Sequence, residues 1–454
     1  MSIMNDSLPL IKSFFQGVSI SGSSKSMVTR FMISILTRHG RNSSMHAASV
    51  CQDKPLHRAQ PGRFLKRARF LAMDILDQLR FKLLESEIWA GDYILIVDST
   101  MVSQQGKTVE NTYSTGNRKR RPQKGRRYGK YKHSRRSCHC FVFGLLLTPD
   151  GLRIPFVKPC HSLEYAKQKK IKHRTQAQLA AHMINELPVP DRCSVTVLGD
   201  TAFDAKIVRQ ACRQRGYVWI FPCNANRVFA GRRKERPRVS SRIEQLSDHR
   251  FKTIRLTPGS GDHVAKRRLS KYRVGSKSKS RTYYVHSEKR EVHSVGHVRL
   301  VYSSTKPIKK KAQRETTKIL LTNATDKSVR QIVELYCIRW QIELFFKELK
   351  SVLGMHQYEY KRFEAVESWI AMVAITFVYL EWIRFRKLAD RRLRSQTRDV
   401  WRPQRCYGIR QAVLVGIQIR QHQWISKRIK TKSGLKTIEK TITSLLAHEY
   451  RCSV

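Results

Sequence analysis

Two short apolar runs, each leading into an aspartate, constrain this chain more than any other feature. Residues 93–97 read YILIV and are followed by Asp98-Ser99-Thr100. Residues 194–198 read SVTVL and lead into Gly199-Asp200-Thr201. Continuous apolar runs of this length predict strands buried on both faces. An acid after such a strand lies at its carboxyl end, where open α/β sheets build their sites. Either aspartate alone also reads as an ordinary turn residue. Around these runs the pattern predicts strands at 140–147, 152–157 and 217–221, with helices at 175–187 and 203–215. The resulting order is three strands, helix, strand, helix, strand. In that order the first and fourth strands can lie side by side with their acids adjacent.

Charge narrows the partner. The chain has 454 residues, with Lys+Arg 89 against Asp+Glu 34 and a formal net charge of +55. Such a chain repels itself unless a polyanion lies against it, and nucleic-acid phosphate is the first candidate, ahead of an anionic membrane. Hydrophobic content of 41% supports packed cores and excludes a disordered basic tail. The run at 369–380, WIAMVAITFVYL, is too short to span a bilayer and predicts a buried helix. The opening residues, MSIMNDSLPLIKSFF, lack the basic and apolar regions of a secretory leader. Ten scattered cysteines fit a reducing cytosol. Cys138-His139-Cys140 and Cys160-His161 do not have the spacing of a standard zinc finger.

The flanks carry further signals. Helical periodicity at 27–39, a stop at Gly40 and a second helix at 45–51 outline either a helix-turn-helix or a plain helical hairpin. An amphipathic helix is expected at 63–87, after Pro61-Gly62. The stretch 103–136 reads as a long basic loop whose Arg118, Arg120, Arg121 and Lys130 either clamp a DNA backbone or form a solvated arm. Residues 224–316 change texture, with short alternating strands at 281–286 and 296–303. A last strand at 318–321 leads to a helix capped at Thr325 or Asp326. A long apolar helix follows at 365–385, then a basic, helical tail.

Residues 336–350, YCIRWQIELFFKELK, lie on that capped helix. On an ideal helix Tyr336, Arg339, Glu343 and Lys350 fall within an arc of roughly 60°. Ile338, Ile342, Phe345, Phe346 and Leu349 fill the neighbouring face. The plain reading is a surface helix with an Arg339–Glu343 pair at i,i+4. The chemical reading joins Glu343 to Asp98 and Asp200 as a carboxylate trio. Such a trio suits two Mg²⁺ or Mn²⁺ ions, which take carboxylate oxygens and drive phosphodiester cleavage.

The spacing Y-x2-R-x3-E-x6-K at Tyr336, Arg339, Glu343 and Lys350 resembles the signature of insertion-sequence family four, cut-and-paste transposases of the DDE type. The likeness extends to ILLTNAT at 319–325 and to Asp98 and Asp200 after their strands. It implies an α/β fold: an RNase H-like mixed sheet at 91–223 joined to 317–390 and interrupted by a β-rich insertion at 224–316. A helical DNA-binding region at 1–90 and a basic helical region at 391–454 would flank this core. By the same likeness Asp98, Asp200 and Glu343 hold two metal ions, and Tyr336, Arg339 and Lys350 grip phosphate near the cut end. The implied partners are double-stranded DNA, as terminal inverted repeats and target, and a second copy of the chain in a synaptic dimer. No membrane is implied, and the implied location is cytoplasmic, on the nucleoid of a bacterium. An aromatic residue of the insertion would hold a flipped base. No Trp stands between Trp219 and Trp340, which leaves Tyr283, Tyr284 or Phe229. Two other readings stay open: a metal-dependent RNase H-like nuclease without strand joining, and a non-catalytic basic DNA-binding remnant.

Overall fold

The computed structural model describes residues 11–37, 44–50, 56–85, 89–104, 108–115, 136–149, 151–224, 226–232, 236–256, 281–308, 317–389, 431 and 433. The chain divides into two compact units. One comprises Met1–Glu87, Val102–His139 and Phe346–Val454, the other Ile88–Met101 and Cys140–Phe345.

The second unit is built on a mixed sheet. Its strands are β1 (Asp92–Gln104), β3 (Arg136–Leu147), β4 (Arg153–Pro159), β5 (Ser194–Gly199) and β6 (Val218–Pro222); a short β2 (Tyr113–Thr115), assigned to the first unit, pairs with the first residues of β3 there. Three more, β7 (Lys252–Leu256), β8 (Arg281–Val292) and β9 (Gly296–Ser304), precede β10 (Lys318–Thr322). Through its centre the sheet runs β4-β3-β1-β5-β6. β3 and β4 are antiparallel, whereas β5 is parallel to both β1 and β6. This is the RNase H-like order, and the fold is α/β with a mixed sheet, as the sequence predicts. Tyr93, Ile94, Leu95, Ile96 and Val97 are all buried, because β1 lies in mid-sheet and its side chains are covered whichever face they take.

The strands of residues 224–316 continue the same sheet. β10 pairs antiparallel with β6 on one side and with β9 on the other, and β8 and β7 follow in turn. Their backbone groups are thereby satisfied against the core edge, which is left without an exposed ladder.

Several expectations need correction. β1 does not stop at Val97 but continues to Gln104, so Asp98 lies inside the strand. The expected loop 103–136 therefore begins in β1 and contains β2. The single helix expected at 63–87 is two, Ala59–Arg67 and Arg69–Glu85, and Pro61-Gly62 lies within the first. Proline is tolerated in a first turn because the amide it lacks has no intrahelical partner there. A short helix at Leu163–Gln168 was not anticipated.

The first unit gathers helices. The helix Phe363–Ala389 packs against Gly22–Thr37, Ala59–Arg67 and Arg69–Glu85. Its segment Phe363–Ile383 is long and apolar enough to cross a membrane, but 94% of its most apolar window is buried inside the chain. It is therefore a core helix. Phe14 closes on Tyr379 and Trp382 at ring centroid distances of 5.2 and 5.4 Å. The helices Gly22–Thr37 and Ser44–Ser49 stand where the helix pair was expected, and buried Arg30 of the first donates to Ala48 O of the second at 3.3 Å. The basic tail after residue 389, but for residues 431 and 433, lies outside the described residues.

Candidate active site

The parallel register sets the geometry. β1 and β5 pair from Asp92↔Ser194 to Val97↔Gly199. Asp98 and Asp200 are the next residues along the chain, so the ladder carries both to the same level at the carboxyl end of β5. Gly199 suits the close packing just before the acid: a Cβ there would lie 3.0 Å from the Phe221 ring and 3.2 Å from Phe203 Cβ, so these neighbours would have to shift. Asp98 Oδ1 accepts from Ser99 N at 2.7 Å. Asp200 Oδ1 accepts from Ala202 N at 2.9 Å and caps the turn Thr201–Phe203.

Glu343 comes from the helix Trp340–Lys347, which seats Phe345 against Phe143 of β3 with ring centroids 5.7 Å apart. The helix expected to run unbroken through 336–350 is interrupted. The helix Val329–Ile338 ends at Arg339, where Arg339 N bonds Tyr336 O and Ile342 N bonds Arg339 O. Both bonds span three residues, a tightened turn. At the other end Glu348–Val352 forms a wide π-helical turn that contains Lys350. The ideal-helix arc therefore does not describe the four residues, because the twist changes twice between them. The first helix is capped by Ser328, in a capping box with Gln331, and not by Thr325 or Asp326. The S-x-x-Q spelling of 328–331 was a readable signal for it.

Arg339 dominates the local electrostatics. Its Nη2 lies 2.5 Å from Glu343 Oε1 and its Nη1 3.6 Å from Asp98 Oδ2. Its guanidinium sits 6.0 Å from the Tyr336 ring centroid. Burial works against its charge, but Tyr336, Glu343 and Asp98 together raise its pKa above the usual arginine value. Burial pushes the Asp98 carboxyl up to about 6, and the charges of Asp200 and Glu343 push the same way against the Ser99 amide and Arg339. Burial likewise pushes the Tyr336 hydroxyl up to about 12, with Arg339 opposing. Asp98, Asp200, Glu343, Tyr336 and Arg339 thus come together within one unit. Lys350 belongs to the other unit, and its burial lowers its pKa. Arg118, Arg120, Arg121 and Lys130 lie outside the described residues.

The donor set is chemically suited to hard divalent cations, which often use one or two carboxylates each and keep their waters. Among the described residues, however, no three His, Cys, Asp or Glu side chains are grouped to hold one ion as they stand. Arg339 occupies the space between two of the three acids. Elsewhere, His139 spends both ring nitrogens, one on the Tyr358 hydroxyl at 2.8 Å and one on Glu110 O at 2.9 Å. Of the aromatics of the insertion, Phe229 is buried beneath Arg290, whose guanidinium is 5.5 Å from the ring centroid, and the Tyr283 hydroxyl meets Cys337 Sγ at 3.5 Å.

The sequence reading missed the support beneath Asp200. Asp204 is completely buried in its side chain and pairs with Arg209 and with Arg227, whose Nε lies 2.5 Å away. Arg227 Nη2 also donates to Asp204 O at 2.9 Å. The second acid of DTAFD was its only sequence signal, and nothing local marks Arg227 as its partner.

Compared with known families, residues 89–379 match the family described as Transposase DDE domain. No curated protein matches the chain.

Proposed function

This chain belongs to the transposase DDE-domain family, and from that premise we propose that it is a cut-and-paste DNA transposase of the insertion-sequence family four kind. The observation that carries this reading is the shared level of Asp98 and Asp200 on adjacent parallel strands, with Glu343 linked to Asp98 through Arg339, which lies near both.

In this reading Asp98, Asp200 and Glu343 hold two Mg²⁺ or Mn²⁺ ions. When bound, such a pair supplies Lewis-acid activation of the attacking oxygen and charge neutralisation at the leaving oxygen. Arg339 offers a bidentate fork to a DNA phosphate, Lys350 a point charge, and Tyr336 a hydroxyl held neutral at ordinary pH. Water breaks the phosphodiester at the element end and frees a 3′-hydroxyl. That hydroxyl then attacks a target phosphodiester in line, forming one P–O bond as another breaks. The basic segment with Arg118, Arg120, Arg121 and Lys130 lies along the DNA backbone, the N-terminal helices read the terminal repeat, and two copies hold paired ends.

The test is a plasmid assay with Mg²⁺. Wild type should give cut ends and joined products, and Glu343→Gln should give neither while binding DNA as before. Persistent cleavage by Glu343→Gln would remove Glu343 from the site. Cleavage without any joined product would replace the transposase by a nuclease.

A further inference from the structure

A phosphate-gripping arginine with no phosphate beside it is expected to extend into water. Arg339 does not. Its side chain is 15% exposed, with Nη2 donating to Glu343 Oε1 at 2.5 Å and Nη1 in ion-pair range of Asp98 Oδ2 at 3.6 Å. The side chain is also anchored at its base. Two three-residue hydrogen bonds tighten the backbone at 339, and the Tyr336 ring flanks the guanidinium. The oxygens it takes belong to two of the carboxylates assigned above to metal. A guanidinium and a divalent cation compete for these carboxylates, because their like charges repel when both approach in a partly buried site.

Resting on the reading of this site as a metal centre, we propose that Arg339 is a built-in counter-ion that closes the centre in the DNA-free protein. It competes with divalent cations for Asp98 and Glu343, and it releases them when a DNA phosphate takes its guanidinium. One residue thus serves two anions in turn. Its exchange couples metal loading to DNA binding, and by linkage each ligand raises the affinity of the other by the same factor. The carboxylates are then spared mutual repulsion before DNA arrives, and hydrolytic chemistry is confined to the DNA-bound state.

Calorimetric titration of Mn²⁺ into the metal-stripped full chain tests this without any activity readout. Wild type, Arg339→Ala and Asp98→Asn are compared, each with and without a short blunt DNA duplex. Without DNA, Arg339→Ala should bind Mn²⁺ about tenfold more tightly than wild type, equivalent to about 1.4 kcal/mol. The duplex should tighten Mn²⁺ binding by wild type and leave Arg339→Ala unchanged. Should the alanine variant not fold, Arg339→Gln keeps a hydrogen-bonding amide without the charge and carries the same comparison. Mn²⁺ binding that is abolished by Asp98→Asn but no tighter in either Arg339 variant overturns the counter-ion role alone. Mn²⁺ binding indifferent to Asp98→Asn overturns the metal centre, and this proposal with it.

Discussion

Replacing Asp204 by alanine would test how the loop bearing Asp200 is held. The carboxylate is fully buried and serves Arg209, 3% exposed, and Arg227, 15% exposed. Its removal leaves two guanidinium groups with little access to water. Breaking a buried pair in this way costs about 3–5 kcal/mol, most of it from the stranded charge. Arg227 has some exposure and can recover part of its hydration, which favours the lower end. For a unit of 150–250 residues about 2–4 °C is lost per kcal/mol, so the melting temperature should fall by roughly 6–20 °C. Differential scanning calorimetry on the full chain reads this as a shift of the first cooperative transition. Asp204→Asn keeps an acceptor and loses only the charge, so its shift should be smaller. Adding Arg227→Ala to Asp204→Ala should restore part of the loss, because one stranded cation is gone. A shift of under about 2 °C for Asp204→Ala would refute the reasoning, since so small a loss is a surface effect.

Gly144→Ala should cost about 1–3 kcal/mol, because its Cβ would land on Met183 Sδ and 3.2 Å from Leu95 Cδ1; urea unfolding with and without Met183→Ala reads the clash and its relief. Ser328→Ala should cost about 1 kcal/mol by removing the cap of the helix that carries Tyr336, and amide exchange should quicken first at residues 329–331. Asp98 supplies a pH signature. Its folded pKa of about 6, raised mainly by burial from 3.8, means that the fold favours the protonated form. That stabilisation is complete below pH 3.8 and lost as pH rises through about 6. In EDTA, wild type should lose melting temperature across that window relative to Asp98→Asn; a constant gap between the two would count against the shift.

Much of the core was legible because local pattern and tertiary environment agree. The YILIV run predicted a buried strand, and β1 lies in mid-sheet with all five side chains covered. Thr175 opens its helix with a capping box. The adjacency of the first and fourth strands followed from element order, since short unknotted connections leave few alternatives. The structure departs from the sequence pattern at the ends and breaks of its elements. β1 runs on to Gln104 although its ladder with β5 ends at Val97↔Gly199, and nothing in the local sequence marks where such a strand stops.

The sequence alone determined the charge, the succession of buried strands along the chain and the aspartates that follow two of them, because composition and periodicity are written residue by residue. The Arg339–Glu343 pair was readable as an i,i+4 spacing, but only the tertiary structure decided the partners that come from further along the chain. Arg339 reaches across to Asp98, which lies in a distant stretch of the chain, and Arg227 reaches back to Asp204. Neither pair lies at a helix or strand spacing that would mark its two residues as partners in the sequence. Their attraction depends on burial, which exists only once the sheet has formed and water has been excluded.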